Sequence, residues 1–363
     1  MKSHATLVCA LSYLALGVVA CGGGAAPGGA AKGAEAPPAA EGAEASSAAR
    51  PAPAGGTGME GQAAATNSDD VKRGISAMKG GDWNGARDAF EGAIKKNPKQ
   101  ADAHYYLGVV MEKTGDRASA ERHYKDAVAL DPNLDEANVN LMAIFVEDKK
   151  WDDAIAIAKR GIAKNGKNAA MHLNLAVALS GKGDEPGATK AFDEATRLEP
   201  NNAQYFLAYA QSLATWKKQP EAVVKLKQAL AVAPQDAAVL GAIGFELRGL
   251  RAVPECIQAM DKALGVKDDP ELRIIRGQCK MANKDKAGAL ADAQAAVAKD
   301  PSYAPARYWL GSWLGEDGKY KEATAEFQKY LELAPKGPMA EAAQKKIKLA
   351  KDKEKGGGGG AKK

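Results

Sequence analysis

The chain has 363 residues, of which 45% are hydrophobic and only 6% aromatic, and its formal net charge is +5 at pH 7. Eight of its lysines fall within residues 344–363, so the rest of the chain is close to neutral. Because a near-neutral surface binds phosphate backbones weakly, the composition argues against a nucleic-acid partner.

Residues 1–20 predict a cleaved export signal. Their apolar run, from Thr6 to Val19, is shorter than the roughly 20 residues that span a bilayer. The run ends in a small residue followed by Cys21. This segment resembles the signal peptide of a bacterial lipoprotein, and the resemblance implies that Cys21 receives a diacylglyceryl group and becomes the acylated N-terminus. The alternative is a weak uncleaved anchor with an incidental cysteine.

The same resemblance implies a location. Gly22 stands where an aspartate would retain a proteobacterial lipoprotein in the inner membrane, so we expect a lipid anchor in the outer membrane, facing the periplasm. Residues 21–66 are rich in glycine, alanine and proline and predict a disordered linker. As flexible coil, this linker would hold the folded part roughly 35–40 Å from the lipid on average.

From Asn67 onward the sequence repeats with a period of 34 residues. Residues 81–98, GDWNGARDAFEGAIKKNP, return at residues 115–132 as GDRASAERHYKDAVALDP. A repeating sequence indicates a repeating structural unit. With Pro98, Pro132, Pro200, Pro234, Pro301 and Pro335 at position 32, eight units fit, the sixth one residue short, and repeats 3 and 6 lack this proline. The units start at Asn67, Ala101, Asp135, Ala169, Ala203, Ala237, Pro270 and Ala304.

Residue size alternates along this frame as expected for packed helix pairs. Positions 8 and 20 are small in most units, which allows two antiparallel helices to approach, and a large residue at position 24 fills the space beside them. Proline at position 32 ends the second helix. Glycine at position 15 predicts a left-handed residue that ends the first helix. These glycines are Gly81, Gly115, Gly183 and Gly318.

The pattern resembles the tetratricopeptide repeat (TPR) family over residues 67–337. The resemblance implies an all-α fold, a right-handed superhelical solenoid of about eight helix-turn-helix repeats. Residues 338–355 predict a capping helix, because an apolar stripe runs along one side and lysines cover the other. Residues 356–363 predict a flexible tail of glycine and lysine.

Two units depart from the frame. Repeat 3 has Met142 at position 8 and Ala158 at position 24, the reverse of the usual sizes. Repeat 6 replaces the Gly-Asp turn with Arg251-Ala252-Val253-Pro254. We expect the helix angles or interfaces to differ in these repeats, with local flexibility or a bend.

The sequence contains no recognisable catalytic or metal-binding motif, and it predicts a protein without enzymatic activity, cofactor or metal. His104 and His172 both occupy position 4, which the TPR resemblance makes a packing position, so both are interpreted as structural. Cys256 and Cys279 are expected on adjoining helices, where an oxidising compartment would allow a disulfide. Two small buried thiols in place of alanine are the preferred interpretation.

The resemblance also implies a concave groove lined by positions 2, 5, 9, 12 and 13 of the first helices. In repeats 2–4 these positions predict an apolar strip with an acidic rim, suited to an apolar segment that carries basic residues. The alternative is that the valines pack neighbouring first helices together. Asparagines at position 6 could grip a peptide backbone, as the resemblance suggests. The predicted groove residues are Asp102, Tyr105, Val109, Glu112, Glu136, Val139, Asn140, Val146, Leu173, Asn174 and Val177.

The resemblance favours a lipid-anchored periplasmic scaffold that binds proteins or peptides in its groove. Such a scaffold would serve assembly of an envelope complex, namely the outer membrane, a secretin or pilus, or motility machinery. An adaptor that regulates a cell-wall enzyme or binds cell-wall glycan is the alternative.

Replacement of Cys21 by serine is expected to release the protein from membranes, because the lipid would lose its attachment atom. Membrane fractionation and a metabolic lipid label measure this. Cys9→Ser, within the expected signal, is the matched control and should leave anchoring intact. A Cys21→Ser protein that still sediments with outer membranes, together with a wild type that never takes up the label, would show the lipoprotein interpretation to be wrong.

Overall fold

The computed structural model describes residues 69–357, and this part of the chain is all-α, as the repeat pattern predicts. The expected signal peptide, Cys21, the linker through residue 66 and residues 358–363 lie outside the described residues. No helix within 69–357 is both long and apolar enough to cross a membrane. The helices are α1 (Asp69–Lys79), α2 (Trp83–Lys96), α3 (Ala101–Lys113), α4 (Arg117–Leu130), α5 (Asp135–Glu147), α6 (Trp151–Lys164), α7 (Ala169–Lys182), α8 (Glu185–Leu198), α9 (Ala203–Thr215), α10 (Gln219–Val232), α11 (Ala237–Gly249), α12 (Val253–Val266), α13 (Pro270–Ala282), α14 (Lys286–Lys299), α15 (Ala304–Glu316), α16 (Tyr320–Leu333) and α17 (Ala340–Gly357).

The helices follow the 34-residue frame. Odd-numbered helices from α1 to α15 are the first helices of the eight repeats. In repeats 1–3 and 5–8 the first helix packs on the even-numbered helix that follows it. From α3 to α15, every first helix begins at the residue where the frame starts its repeat. The last helix, α17, packs on α16 with Ala343 fully buried, in the place expected for a cap.

The small residue at position 8 permits the close approach of the two helices. A methyl group at Gly108 would come within 2.6 Å of the Tyr124 ring, and one at Gly74 within 2.5 Å of Phe90. Both rings belong to position 24 and are fully buried. The predicted complementarity between a small residue on the first helix and a large residue on the second is therefore present in these repeats.

Repeat 3 reaches the same packing with the sizes reversed. Met142, on the first helix, and Ala158, on the second, are both fully buried. A side chain at Gly161, position 27, would collide with the Met171 thioether of the next repeat. The departure in sequence thus reverses the residue sizes at positions 8 and 24, and both side chains remain buried.

The turn between the two helices has the same conformation in all eight repeats. The predicted left-handed glycines have φ of 78° to 87°. The four other repeats place a basic residue at position 15 with φ between 57° and 63°: Lys149, Lys217, Arg251 and Lys284. The altered turn of repeat 6 therefore keeps the usual backbone path, while the flexibility expected at repeats 3 and 6 stays a prediction.

The Gly-Asp pair of the repeat has two separate tasks. The glycine ends the first helix, and the aspartate begins the second by accepting a backbone hydrogen bond. Asp82 accepts from the Gly85 N–H at 2.9 Å, and Asp116 accepts from the Ser119 N–H at 3.1 Å. Because the glycine and the aspartate perform these two roles at adjacent positions, they recur together in the sequence.

By contacts, the chain divides into one compact unit that ends at Ala191 and a second that begins at Phe192. The second unit contains a buried ion cluster between α13 and α14. Asp292 is 3% exposed and accepts two hydrogen bonds from Arg276, at 2.9 and 2.5 Å, and Lys280 lies 2.9 Å away. Burial without these cations would be strongly unfavourable for the carboxylate, so the cluster fixes how α13 packs on α14.

Cys256 of α12 and Cys279 of α13 form a disulfide, with their Cα atoms 6.3 Å apart and both residues buried. The preferred interpretation from sequence, two unpaired thiols, is therefore wrong. Position 20 of one repeat and position 10 of the next bring the Cα atoms within the distance that a disulfide requires. The repeat frame places these residues on adjoining helices but does not give that distance.

Replacing Lys217 by glycine is expected to stabilise the protein by about 0.5–1 kcal/mol, because glycine adopts the left-handed conformation without the clash of a Cβ atom. Denaturant or thermal unfolding followed by circular dichroism measures the change. The reciprocal variant, Gly183→Lys, should destabilise by a similar amount. Stabilisation by Gly183→Lys, or destabilisation by Lys217→Gly, would contradict the assigned turn.

Replacing both Cys256 and Cys279 by alanine is expected to lower the free energy of unfolding by about 2–4 kcal/mol, since the bond restricts the unfolded chain. Chemical unfolding with and without dithiothreitol measures this loss. Reductant should lower the stability of the wild type and leave the double variant unchanged. Equal stability of the wild type in both buffers would show that the bond is absent.

Candidate functional site

A group of tyrosines and acids joins the first two helix pairs of the predicted groove. Tyr105 and Tyr106 lie on α3 with Glu112, Tyr124 lies on α4, and Glu136 lies near the start of α5. We call these five residues the tyrosine–acid cluster. The Tyr105 ring centre is 5.0 Å from that of Tyr106 and 6.1 Å from that of Tyr124.

Hydrogen bonds tie this cluster across three helices. The Tyr124 hydroxyl donates to Glu112 Oε2 at 2.8 Å. The Asn140 side-chain amide, on α5, donates to the same hydroxyl at 3.2 Å. A fully buried ring thus has its polar end satisfied from both sides, and the carboxylate of Glu112 is held in a fixed position at the surface.

Burial and neighbouring carboxylates both disfavour ionised tyrosine in this cluster. Burial raises the pKa of Tyr105 well above its usual range, and the charges of Glu136 and Glu112 raise it further. Burial, assisted by Asp102 and Glu136, raises the pKa of Tyr106 to about 12. The carboxylates that disfavour a tyrosinate here would favour a bound cation for the same reason.

The apolar residues of the predicted groove are buried. Their exposure ranges from 2% to 8%, so they pack helices together and do not form an open strip. This is the alternative that the sequence left open. The accessible part of the face is polar: Glu136 is exposed, and Asp102, Tyr105, Glu112 and Asn140 are half-buried. The buried members are Val109, Val139, Val146, Leu173 and Val177.

The two asparagines at position 6 make internal contacts. Asn174 is buried, and its amide donates to the Val139 carbonyl on α5 at 3.4 Å. Asn140 donates to Tyr124, as described above. Both amides therefore connect helices in this structure, which differs from the backbone-gripping role suggested by the resemblance.

Sequence reasoning missed Tyr106 and Tyr124 as members of the site. The frame assigns Tyr124 to position 24, a packing position, and gives no sign that its hydroxyl reaches Glu112 and Asn140. Tyr106 follows Tyr105 directly and stacks on Phe90 of the preceding repeat, with ring centres 5.4 Å apart. Adjacent tyrosines on a first helix were the available signal.

Comparison with solved structures returns several helical-repeat proteins. The yeast Tom70 structure has a TM-score of 0.50 at 15% identity; the match covers 80% of this chain and 66% of Tom70. YrrB, described as a TPR protein with an unusual peptide-binding site, has a TM-score of 0.42 at 21% identity, over 52% of this chain and 97% of that one. MamA from Desulfovibrio magneticus RS-1 has a TM-score of 0.42 at 16% identity, over 46% and 97%. At these identities the likeness concerns the fold alone.

Comparison with models of protein families assigns the chain to a family. Two family models, both described as tetratricopeptide repeat, match this chain, one over residues 71–135 and 257–338 and the other over residues 145–212. No curated protein matches it. The matched segments together exceed half of the sequence and lie within the helical repeats of the structure. The chain belongs to the tetratricopeptide repeat family.

Proposed function

We propose that this protein is a periplasmic scaffold, held by lipid on Cys21, that assembles an envelope complex by binding a basic segment of a partner protein at the tyrosine–acid cluster. Membership of the tetratricopeptide repeat family supports a protein–protein interaction scaffold, a fold that is generally non-catalytic. In this proposal the lipid on Cys21 lies in the outer membrane.

The observation that carries the binding proposal is the tyrosine–acid cluster itself. Glu136 is exposed, Glu112 is fixed by the Tyr124 hydroxyl, and the rings of Tyr105 and Tyr106 are half-buried beside them. Carboxylates form charge-assisted hydrogen bonds with lysine and arginine, and tyrosine faces attract the same cations. A segment that presents a basic residue next to an apolar one fits this surface.

The disulfide supports export. Bonds between buried cysteines persist in the periplasm and are rare in the reducing cytosol. The Cys256–Cys279 bond is consistent with the signal-like sequence of residues 1–20, although it lies far from that segment in the chain. Export and lipid attachment remain distinct steps, and only the first is favoured by the disulfide.

The alternative proposal, an adaptor that binds cell-wall glycan, has one structural observation in its favour. Sugar rings pack on aromatic faces, and Tyr105 and Tyr106 offer two adjacent half-buried rings. The two proposals differ in their dependence on charge. A basic peptide requires the carboxylates, whereas a neutral glycan requires the rings.

Replacing Glu112 and Glu136 together by glutamine is expected to weaken binding of a fluorescein-labelled peptide of alternating leucine and lysine by about tenfold or more, because each charge-assisted bond contributes about 1.5–3 kcal/mol. Fluorescence anisotropy measures the affinity, and circular dichroism checks the fold. Glutamine keeps an acceptor oxygen for Tyr124, so packing should be preserved. Glu221→Gln, an exposed acid of α10, is the control.

Two results would redirect the proposal. Unchanged peptide affinity in the folded double variant would place the partner site elsewhere. Binding of soluble cell-wall glycan fragments that persists in Glu112→Gln/Glu136→Gln but is lost in Tyr105→Ala would favour the glycan alternative. If neither result is obtained, crosslinking in cells from position 105, followed by mass spectrometry, would identify the partner protein.

A further inference from the structure

We propose a binding site for a divalent transition-metal ion in repeat 2, formed by His104 of α3 and by His123 and Asp126 of α4. The three side chains each offer one ligand atom, and these atoms all lie within 4.8 Å of one another. The site uses no residue of the tyrosine–acid cluster, and it goes beyond the proposed scaffold function.

Two of the three separations between ligand atoms fit a single ion closely, and the third lies within 4.8 Å. His104 Nδ1 is 3.4 Å from His123 Nδ1 and 3.6 Å from Asp126 Oδ2. Ligands bound to zinc at roughly 2.0–2.2 Å with tetrahedral angles are themselves roughly 3.3–3.6 Å apart. Both separations are long for direct hydrogen bonds, which are roughly 2.7–3.2 Å for a ring N–H donor. These two separations therefore match the spacing of ligands around an ion better than that of groups hydrogen-bonded to each other.

The hydrogen bond on the other side of the His104 ring sets its tautomer. Nε2 lies 3.1 Å from the Pro98 carbonyl oxygen, which can only accept, so Nε2 donates its proton there. In the neutral ring, Nδ1 then has a free lone pair, and this atom faces His123 and Asp126. Metal-binding histidines commonly donate their second ring N–H to a carbonyl, which orients the ring.

Position 4 of repeats 3 and 4 makes the same contact with a carbonyl, whereas the contacts of His104 Nδ1 have no counterpart in repeat 3. The Asn138 amide donates to the Pro132 carbonyl at 3.1 Å, and the His172 ring lies 3.0 Å from the Gly166 carbonyl. In repeat 3, Ile157 and Arg160 occupy the places of His123 and Asp126. The structural role expected from sequence thus explains the contact of His104 Nε2. It does not explain the position of Nδ1, which can bind an ion.

The donor set defines the chemistry of the ion. Two imidazole nitrogens and one carboxylate suit Zn²⁺, Co²⁺ or Ni²⁺ and do not suit Mg²⁺ or Ca²⁺, which prefer oxygen ligands. Three protein ligands leave a fourth tetrahedral position for water or for a side chain of a partner. The Asp126 side chain is 47% exposed, so an ion can enter from solvent. Once bound, it would cross-link α3 to α4.

Calorimetric titration of the full chain, prepared without an added histidine tag, with ZnCl₂ tests the site. We expect one zinc ion per chain, and Co²⁺ should give the visible absorption of a tetrahedral complex. His104→Asn should weaken zinc binding by about tenfold or more while retaining the Pro98 contact, as Asn138 does in repeat 3. His172→Asn is the matched control and should bind zinc like the wild type.

Asp126→Asn, a change on the exposed side of the site, provides a second variant in case a histidine variant is unstable, and it should also weaken zinc binding. Zinc should raise the melting temperature of the wild type more than that of His104→Asn. Absence of zinc binding by the wild type, or equal affinity of the wild type and His104→Asn, would overturn the site. Loss of affinity in His172→Asn equal to that in His104→Asn would overturn it as well.

Discussion

The structure depends on one steric constraint, the pairing of a small and a large side chain between the two helices of a repeat. In repeat 2 the absent side chain of Gly108 leaves room for the Tyr124 ring, which would lie only 2.6 Å from an added methyl group. Close packing of this kind fixes the separation of α3 and α4. The contacts of Tyr124 with Glu112 and of His104 with His123 both require that separation. Both proposed sites of this repeat therefore depend on its packing.

Repeat 3 shows that the constraint concerns the pair and not either position alone. Met142 and Ala158 exchange the usual sizes, and both remain fully buried. Cores tolerate exchanges that conserve total volume, because the interface is filled either way. The left-handed turn residue also varies in identity. Where it is lysine or arginine instead of glycine, the backbone still adopts the strained positive φ that the turn requires. Backbone geometry is thus conserved among the eight repeats more strictly than residue identity.

The repeat period was sufficient to predict the backbone but not the site. A 34-residue frame gives helix starts to the residue from Ala101 onward, and it gives the four glycine turns, because both are periodic properties. The left-handed basic residues of the other four repeats were not predicted. Contacts that depend on side chains particular to one repeat are not periodic. The frame therefore could not give the Cys256–Cys279 distance, the burial of Val139, or the reach of Tyr124 to Glu112. Each depends on a separation of a few ångströms between two different helices.

One helix pair connects the two proposed binding sites. His104 and Tyr105 are adjacent on α3, where neighbouring residues point about 100° apart, and both contact residues of α4. An ion that holds α3 on α4 would also order the surface that presents Tyr105 and Glu112. A partner that binds an already ordered surface loses less conformational entropy. Any coupling of this kind must be reciprocal, so a partner that tightens the pair would raise the affinity for the ion by the same factor.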